Sequence, residues 1–577
     1  MPVAFPSATR VLAAIAGLIL APFAVAQTTP PNLLLIVPDD LGIDAVGCYG
    51  WPTAAATPNL DALAQSGMRF THCFVNPACS PTRAAILTGR YAFRSDCTGA
   101  LSQGALGMVA DALTIAAPLN AAGYQTAMIG KWHLGNRFGN VTPGAYGWSH
   151  FEGVLDSGVA NPYQWPKITN GLVSTCTQYI MTDQVDSAIS WIQSQTGPWA
   201  LVLTPTLPHV PFHTPPANLH TQNLAGLNPV TTPRPFFEAM VQAMDNEVGR
   251  LLASIGPTTL ANTNVVVIGD NGTDGAVALP PLSSTRAKGS MHDGGSRVPL
   301  IVRGPAVANP GTVATEMVNA IDLFPTMLAM CGISFPPPPI ASAAAPLDGQ
   351  GFAAALTGQT GYGRPYVYNE ISSCPLGDGY TIRTATHRLV RYEQNQPQHQ
   401  EFYNLVTDPY ATTNLLGGSM SPADQAAFQQ IMATLQTVRS DGWGELFGNG
   451  CSGNAGVPLL RWQTRPQIGH TFVAYMGNLS ANCFNLMGVL GLSRTASLGN
   501  ALPLSLDALG MTGCNLNVSL DLIVPIWVQN GFGVYLPIPD APALYQLEFY
   551  LQGIAYETGA NPASAVLSRG LRCVIGN

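Results

Sequence analysis

Short, almost continuously apolar runs recur between residues 32 and 302 of this 577-residue chain, and helical patterns separate them. Runs of this length are typical of strands that are buried on both faces of a parallel sheet. Their alternation with helices predicts an α/β fold, in which helices flank a mostly parallel sheet. The predicted strands are residues 32–37, 126–129, 199–203, 264–268 and 298–302.

Polar residues that are capable of chemistry follow four of these runs. In open α/β sheets, ligands bind beyond the carboxyl ends of the strands, so side chains that follow different strands meet at one edge. We therefore expect one site that contains Asp39, Asp40, Lys131, His133, His209, Asp270 and Asn271.

Adjacent pairs of hard oxygen donors end two of the strands, Asp39-Asp40 and Asp270-Asn271. A single aspartate in such a position is more often a turn residue or a helix cap. Crowded carboxylates repel one another, however, so two pairs at one edge favour a shared cation. Three carboxylates and an amide suit Ca²⁺ or Mg²⁺ rather than zinc, which prefers His and Cys.

The segment from Cys79 to Arg90 predicts a short helix with reactive residues at its start. Pro81 suits the first turn, and Gly89 suits the left-handed position that ends a helix. Cys79 then lies at a helix N-terminus, where free N–H groups favour an anion, and Arg83 adds a positive charge one turn later. The alternative interpretation is a buried cysteine beside a helix cap.

Lysine is rare in this chain, since only three of the 24 basic residues are lysines. Two of them, Lys131 and Lys288, fall beside other candidate site residues, whereas Lys167 does not. A compact, flexible ammonium at these two positions is consistent with a functional role. Chance retention is the alternative for so small a set.

Two histidines are candidates for proton transfer. His133 follows a predicted strand, and His209 lies in a loop that is stiffened by Pro208 and Pro211. Acid–base chemistry at an ester needs two separate proton-transfer groups. A lone loop histidine is usually only solvated, and His213 could compete with His209 for the role.

These motifs resemble those of the type I sulfatases, the formylglycine-dependent family of the alkaline phosphatase superfamily. The resemblance rests on Cys-Ser-Pro-Thr-Arg at 79–83, Leu-Thr-Gly-Arg at 87–90, Gly-Lys-Trp-His-Leu-Gly at 130–135, and Gly-Gly-x-Arg-Val-Pro at 294–299. It covers about residues 32–445. Thr82 stands where most members have serine, and Asp293 stands where a glutamate is usual.

The resemblance implies that a formylglycine-generating or equivalent maturation enzyme oxidises Cys79, and that the hydrated aldehyde is the nucleophile. The cation is expected to be Ca²⁺ rather than Mg²⁺. His209 with Lys288 would protonate the leaving alcohol, and His133 would take the proton whose removal releases sulfate. The implied catalytic residues are Cys79, Arg83, Lys131, His133, His209 and Lys288, and the implied metal ligands are Asp39, Asp40, Cys79, Asp270 and Asn271.

The length predicts several domains. Residues 1–26 combine a basic residue, an apolar stretch and a small-residue cleavage site, which predicts a signal peptide and a periplasmic or extracellular protein. No later run is long and apolar enough to span a bilayer. We expect a catalytic α/β domain at 27–347, a smaller α+β subdomain at 348–445 and an all-β, sandwich-like module at 453–577, with a proline-rich linker or surface excursion at 335–339.

The chain contains 11 cysteines, and removing Cys79 from the count leaves ten that could form disulfides in an oxidising compartment. Cys451, Cys483, Cys514 and Cys573 cluster near the C-terminus and allow three pairings. Buried thiols are the alternative.

We therefore expect an exported hydrolase of sulfated small molecules or glycans. The formal charge of −8 gives no basic stripe and argues against a nucleic-acid partner. A phosphoester or phosphonate hydrolase of the same superfamily is the first alternative, because phosphate and sulfate are nearly isosteric. A non-catalytic glycan-binding protein is the second.

Overall fold

The computed structural model describes residues 30–52, 54–95, 97–101, 107–108, 112–135, 143–334, 347–374, 377–392, 399–438, 443–462, 466, 468–526, 533–544 and 547–575. The predicted signal peptide and the proline-rich segment lie outside these residues. Within these ranges, no helix combines the length and the apolar character that a bilayer crossing requires.

An eleven-stranded sheet forms the centre of the first part of the chain, with neighbours in the order β10-β2-β9-β8-β1-β7-β3-β4-β5-β6 and with β11 beside β2. Its strands are β1 (Asn32–Ile36), β2 (Met68–Phe74), β3 (Gln125–Lys131), β4 (His150–Val154), β5 (Trp165–Thr169), β6 (Leu172–Cys176), β7 (Trp199–Thr204), β8 (Thr263–Ile268), β9 (Arg297–Arg303), β10 (Thr312–Ala314) and β11 (Val318–Asn319). The five central strands β8, β1, β7, β3 and β4 run parallel to one another. The predicted α/β fold with a mostly parallel sheet is confirmed.

Strands β2 and β9 depart from the simple alternating pattern. β9 runs antiparallel to both β2 and β8, so it is not part of the parallel centre. The apolar pattern did not predict β2 at all. In this strand the polar side chains Arg69, Thr71 and His72 are only half-buried, so β2 lacks the continuous apolar run of the central strands.

Helices cover both faces of the sheet, and successive residues of a central strand face opposite cores. In β1, Leu33 and Leu35 belong to one core, whereas Leu34 and Ile36 belong to the other. Helix α2 packs in the first core and α5 in the second. The helices are α1 (Pro58–Gln65), α2 (Cys79–Thr88), α3 (Ala116–Ala121), α4 (Ile180–Gln193), α5 (Pro233–Ile255), α6 (Pro257–Ala261), α7 (Asp293–Ser296), α8 (Leu323–Met330), α9 (Ala353–Leu356) and α10 (Pro422–Val438).

A four-stranded antiparallel sheet follows, with its strands in chain order. Phe402 of this sheet and Ile431 and Leu435 of α10 belong to the same core as α2, so this part of the chain packs directly on the large sheet. Its strands are β12 (Val367–Cys374), β13 (Gly377–Arg383), β14 (His387–Tyr392) and β15 (His399–Asn404).

The C-terminal part is all-β, as predicted. A five-stranded sheet has the order β16-β27-β26-β19-β24, a three-stranded sheet has the order β17-β18-β25, and two hairpins add β20-β21 and β22-β23. Its strands are β16 (Trp443–Phe447), β17 (Leu459–Trp462), β18 (Thr471–Gly477), β19 (Cys483–Gly491), β20 (Ala496–Ser497), β21 (Asn500–Ala501), β22 (Leu504–Ser505), β23 (Asn515–Leu516), β24 (Leu522–Pro525), β25 (Gly533–Pro537), β26 (Glu548–Glu557) and β27 (Ala565–Val574).

Strand β16 pairs with β27 and therefore belongs to the C-terminal sheet. The predicted subdomain limit at residue 445 thus cuts through a strand. A disulfide joins Cys451 to Cys514 in this module, whereas Cys483 and Cys573 are free thiols. The C-terminal cysteine cluster therefore holds both a disulfide and a buried thiol, Cys573.

Lys167, the lysine outside the candidate site, ties the β5–β6 hairpin to its neighbours. Its ammonium contacts Glu152 on β4, lies 2.8 Å from Asp183 Oδ2 on α4 and donates to Ser187 Oγ at 3.1 Å. Burial would raise the pKa of Glu152, but hydrogen bonds from His150, Lys167 and Ser187 lower it to about 2. Folding therefore favours the ionised carboxylate.

We expect Lys167→Met to lower the free energy of unfolding at pH 7 by about 1 kcal/mol, after allowance for solvent screening. Because folding lowers the pKa of Glu152, its stabilising effect is complete above the ordinary glutamate pKa of about 4.3. The effect is lost as the pH falls toward the folded value of about 2. Urea unfolding across this range should show the two proteins converging, and equal stabilities at pH 7 would contradict the prediction. Arg250→Met, whose side chain is 41% exposed, is a control that should cost less.

Candidate active site

Helix α2 begins at Cys79, as predicted. Ala78 precedes it in an extended conformation, and Gly89 ends it with a φ of 66° while its N–H donates to the Ala85 carbonyl. Cys79 is only 2% exposed, and burial raises the pKa of its thiol to about 12 despite Lys131 and Lys288. The helix thus holds a protonated thiol at the positive end of its dipole.

Asp39 and Lys131 form a buried ion pair between the carboxyl ends of β1 and β3. Lys131 Nζ donates to Asp39 Oδ2 at 2.7 Å, and both side chains are inaccessible to solvent. Burial would raise the pKa of Asp39, but Lys131, His209 and Arg83 hold it well below the usual range. The second oxygen, Asp39 Oδ1, has no hydrogen-bond donor among the described residues.

Arg83 and Asp270 form the second buried pair. Arg83 Nε and Nη2 donate to Asp270 Oδ2 at 3.0 and 2.8 Å, and Nη1 donates to the Lys131 carbonyl at 2.8 Å. Asp270 Oδ1 accepts the Asp40 N–H at 3.0 Å. Burial, followed by the charge of Asp39, raises the pKa of Asp270 to about 7. Neighbouring carboxylates therefore repel one another here even beside an arginine.

Asp40 is held by residues from three separate segments. Lys288 Nζ lies 2.7 Å from each carboxylate oxygen of Asp40, and Asn271 Nδ2 donates to Asp40 Oδ1 at 2.7 Å. His209 Nε2 lies 3.9 Å from Asp40 Oδ2. Asp40 adopts a left-handed φ of 64°, which non-glycine residues rarely do. The amide oxygen Asn271 Oδ1 is buried and has no donor in the described part of the chain.

The donor set fits a divalent cation. Asp39, Asp40, Cys79 and His209 each offer a ligand atom, and these atoms all lie within 4.8 Å of one another. Asp39 Oδ1 and Asn271 Oδ1 are buried acceptors, which are costly to leave unsatisfied. Carboxylate and amide oxygens are the ligands that Ca²⁺ and Mg²⁺ prefer. A cation held by such oxygens would reduce the repulsion among the carboxylates.

His133 lies just beyond β3 and is almost fully buried. Its Nε2 lies 2.8 Å from the Leu101 carbonyl oxygen, and because a carbonyl can only accept, Nε2 carries the hydrogen. Burial, followed by the charge of Lys131, lowers the pKa of His133 well below its usual value. The ring is therefore neutral, and Nδ1 has no partner among the described residues.

The contacts of His209 and His213 show which of the two rings lies near Asp40. His209 Nδ1 lies 2.6 Å from the Val210 carbonyl oxygen, so Nδ1 carries a hydrogen and Nε2 is the atom near Asp40. His213 uses both nitrogens elsewhere, Nε2 with the Tyr179 hydroxyl at 3.0 Å and Nδ1 with the Pro211 carbonyl at 2.8 Å. His209 is thus the histidine that the loop brings to the acidic cluster.

The structure brings nine predicted residues into one contact network: Asp39, Asp40, Cys79, Arg83, Lys131, His209, Asp270, Asn271 and Lys288. His133 lies close enough for Lys131, Arg83 and Asp39 to influence its pKa. The sequence did not indicate Leu101, because it contributes a main-chain carbonyl that no side-chain motif reveals.

Two family models match the chain. A sulfatase model matches residues 31–333, which is more than half of the 577 residues, and a model for the C-terminal part of N-sulphoglucosamine sulphohydrolase matches residues 286–440. The chain belongs to the sulfatase family. Members of this family are sulfuric ester hydrolases.

Relatives of this sulfatase act on different kinds of sulfate ester, as their names state. Arylsulfatase A of Bos taurus is 33% identical over 57% of this chain and 68% of its own length, and the Homo sapiens protein is 32% identical over 54% and 66%. The chain thus spans about two thirds of these relatives. An ulvan-active sulfatase of Formosa agariphila is 27% identical over 68% of this chain and 78% of its own length.

Solved protein structures share the fold. The crystal structure of Ps i-CgsB in complex with k-i-k-neocarrahexaose has a TM-score of 0.62 and 26% identity, and the match covers 71% of this chain and 92% of that one. A structure in complex with D-glucosamine-2-N,6-O-disulfate has a TM-score of 0.58 and 22% identity, with coverages of 71% and 98%.

Two departures from the usual family pattern are accommodated in this sulfatase. The Thr82 hydroxyl donates to the Asn76 carbonyl at 2.9 Å within the buried helix. The Asp293 carboxylate contacts Arg388 and lies 3.6 Å from Arg383 Nε, so it links α7 to the four-stranded sheet. Neither side chain is part of the contact network around Cys79.

Proposed function

We propose that this sulfatase is exported, that Cys79 is converted to formylglycine, and that a bound divalent cation assists the hydrolysis of sulfate esters. The observation that carries the proposal is the buried juxtaposition of Cys79 with paired oxygen ligands and three cationic side chains, Arg83, Lys131 and Lys288. A protonated, buried thiol is a poor nucleophile, which supports a role for Cys79 as a modified residue. The transient partner is a formylglycine-generating or equivalent maturation enzyme.

The proposed cation ligands are Asp39, Asp40, Asp270, Asn271 and residue 79. Ca²⁺ is favoured over Mg²⁺, because Ca²⁺ accepts many protein oxygens whereas Mg²⁺ usually retains several waters. Three carboxylates and three cationic side chains balance in formal charge, so a bound divalent ion makes the site positive. A positive site suits an anionic sulfate ester.

A cation held by Asp39, Asp40, Asp270 and Asn271 would supply Lewis-acid polarisation of the sulfate oxygens, and residue 79, as a hydrated aldehyde, would supply the hydroxyl that attacks sulfur. Lys131 and Lys288 have ammonium donors beyond those they use on Asp39 and Asp40, and these donors bind the sulfate oxygens. Arg83 uses its donors on Asp270 and the Lys131 carbonyl, so it orients the cation site and adds charge. When His209 carries hydrogens on both ring nitrogens, its Nε2 donates a proton to the leaving alcohol as the bond between sulfur and that alcohol breaks. His133 Nδ1 then takes the proton of the remaining hydroxyl of residue 79, which re-forms the aldehyde and expels sulfate.

The relatives indicate a broad class of substrate. Arylsulfatases and an ulvan-active sulfatase are among them, and one similar structure holds a neocarrahexaose. We propose aryl or carbohydrate sulfates as substrates. Every residue assigned to the chemistry lies between residues 39 and 288, so we propose that the C-terminal module plays no part in it.

The test compares 4-nitrophenyl sulfate with 4-nitrophenyl phosphate, because the two esters share one leaving group. We expect kcat/KM for the sulfate to exceed that for the phosphate by at least about 100-fold, since the esters differ in charge at the reacting centre. A faster phosphate reaction would instead identify a phosphoester hydrolase. Absence of turnover on these esters and on a panel of sulfated sugars would favour a glycan-binding protein.

A further inference from the structure

The main chain of Leu101 connects two buried side chains, those of Ser80 and His133. Its N–H donates to Ser80 Oγ at 3.2 Å, and its carbonyl accepts the Nε2 hydrogen of His133 at 2.8 Å. Ser80, Leu101 and His133 are 0%, 5% and 3% exposed. Ser80 follows Cys79 directly in α2, whereas His133 follows β3, so the connection runs from the reactive helix to the central sheet.

We propose that Ser80 is a positioning residue, which acts through Leu101 to hold His133 as the tautomer with its hydrogen on Nε2 and a lone pair on Nδ1. The inference rests on the proposed function only for the role of His133 as a base. The tautomer itself is a property of the free protein.

The direction of each hydrogen bond supports this assignment. The Leu101 carbonyl has no hydrogen, so the contact at 2.8 Å requires His133 Nε2 to be the donor. In a neutral imidazole the other nitrogen is then an acceptor, and Nδ1 is buried with no partner among the described residues. Ser80 Oγ in turn satisfies the Leu101 N–H, so both main-chain polar groups of Leu101 are fixed.

Removal of the Ser80 hydroxyl would leave the buried Leu101 N–H without its acceptor. A buried main-chain donor without a partner is unfavourable, so the Leu101 segment would shift to find another acceptor. The shift would lengthen or break the contact to His133 and would allow the second tautomer. A second hydrogen bond, from the Met108 N–H to the Leu134 carbonyl at 3.1 Å, would still hold the backbone beside His133. We therefore expect loss of orientation rather than unfolding.

The first measurement is the tautomeric state of His133 without substrate. Nitrogen-15 NMR of histidine-labelled protein distinguishes Nε2–H from Nδ1–H rings, and His133→Gln identifies the His133 signals. Wild-type protein should show the Nε2–H form, and Ser80→Ala should show a mixture of the two forms. An Nδ1–H ring in the wild type would overturn the proposal, whatever the variant does.

The second measurement separates binding from chemistry in the active holoenzyme. With 4-nitrophenyl sulfate, Ser80→Ala should lower kcat by about 10- to 100-fold and change KM by less than about threefold, because His133 transfers a proton after the ester is bound. Peptide mass spectrometry must show residue 79 modified to the wild-type extent, and kcat is expressed per modified site. Ser95→Ala is the matched control, since Ser95 is another buried serine whose hydroxyl bonds only the nearby Ala92 carbonyl in the described structure.

The outcomes distinguish the proposal from the function on which it rests. A mixed tautomer together with a lower kcat in Ser80→Ala supports the positioning role. Wild-type kcat, or a lower kcat with an unchanged tautomer, overturns it. A wild-type protein that has the Nε2–H ring but hydrolyses no sulfate ester would refute the proposed function and leave the tautomer assignment standing.

Discussion

Cys79→Ala should lower kcat for sulfate esters by on the order of 10⁴-fold or more, because it removes the atom from which the nucleophile is made. The remaining site would still bind the ester through Lys131 and Lys288, so the KM of any residual activity should change little. Alanine suits the first turn of a helix and removes only one buried atom. The variant should therefore fold with a melting temperature close to that of the wild type, which differential scanning calorimetry would show.

The matched control is Cys73→Ala. Cys73 is also fully buried, lies on β2 close in sequence to Cys79, and is a free thiol. Loss of this thiol should cost some stability but leave kcat within about twofold of the wild type. Full sulfatase activity in Cys79→Ala, or equal losses in the two variants, would contradict the assigned role of residue 79.

Removal of divalent cations should also lower the hydrolysis rate strongly. Chelation should lower kcat/KM at least about 100-fold, and Ca²⁺ should restore it more fully than Mg²⁺. Because the cation binds the folded state, Ca²⁺ at about 100 times its Kd should also stabilise the protein by about 2.7 kcal/mol. Thermal unfolding with and without Ca²⁺ gives this second readout independently of turnover.

Substitution of a proposed ligand tests where the cation binds. Asn271→Leu removes the buried acceptor Oδ1 and the donor to Asp40, and it should abolish the Ca²⁺-dependent rise in melting temperature. Asp245→Asn is the control, because Asp245 is a buried carboxylate that accepts the Asn59 and Leu60 N–H groups away from the site. It should lower stability yet keep the Ca²⁺ response. An Asn271→Leu protein with the wild-type Ca²⁺ shift would place the cation elsewhere.

The sequence predicted which side chains form the site better than it predicted which of them contact one another. Asp39 and Asp270 could be brought together from sequence, because the carboxyl ends of parallel strands lie at one edge of a sheet. The partner of each charge could not be predicted. That Lys131 binds Asp39, whereas Lys288 binds Asp40, depends on side-chain directions that only the packed structure fixes.

The sequence did not predict features that depend on main-chain atoms or on pairing between segments that are distant in the chain. Leu101 contributes a carbonyl, which any residue type could supply. Strand β2 lacks a continuous apolar run, so it gave no signal of a buried strand. Strand β16 pairs with β27 more than 100 residues later, and no local pattern reveals a partner at that distance. Lys167 shows the opposite case, in which a rare residue type serves an ion-pair cluster away from the site.

The most direct test is the chemical state of residue 79 in active enzyme. Trypsin releases the peptide of residues 70–83, which contains both Cys73 and Cys79 and so carries its own control. After denaturation and alkylation, the formylglycine mechanism predicts one alkylated thiol, at Cys73, and an aldehyde at residue 79 that reacts with a hydrazide probe. The hydrazide-reactive fraction should rise in proportion to specific activity across preparations. Fully active enzyme whose peptide carries two alkylated thiols would contradict the formylglycine mechanism.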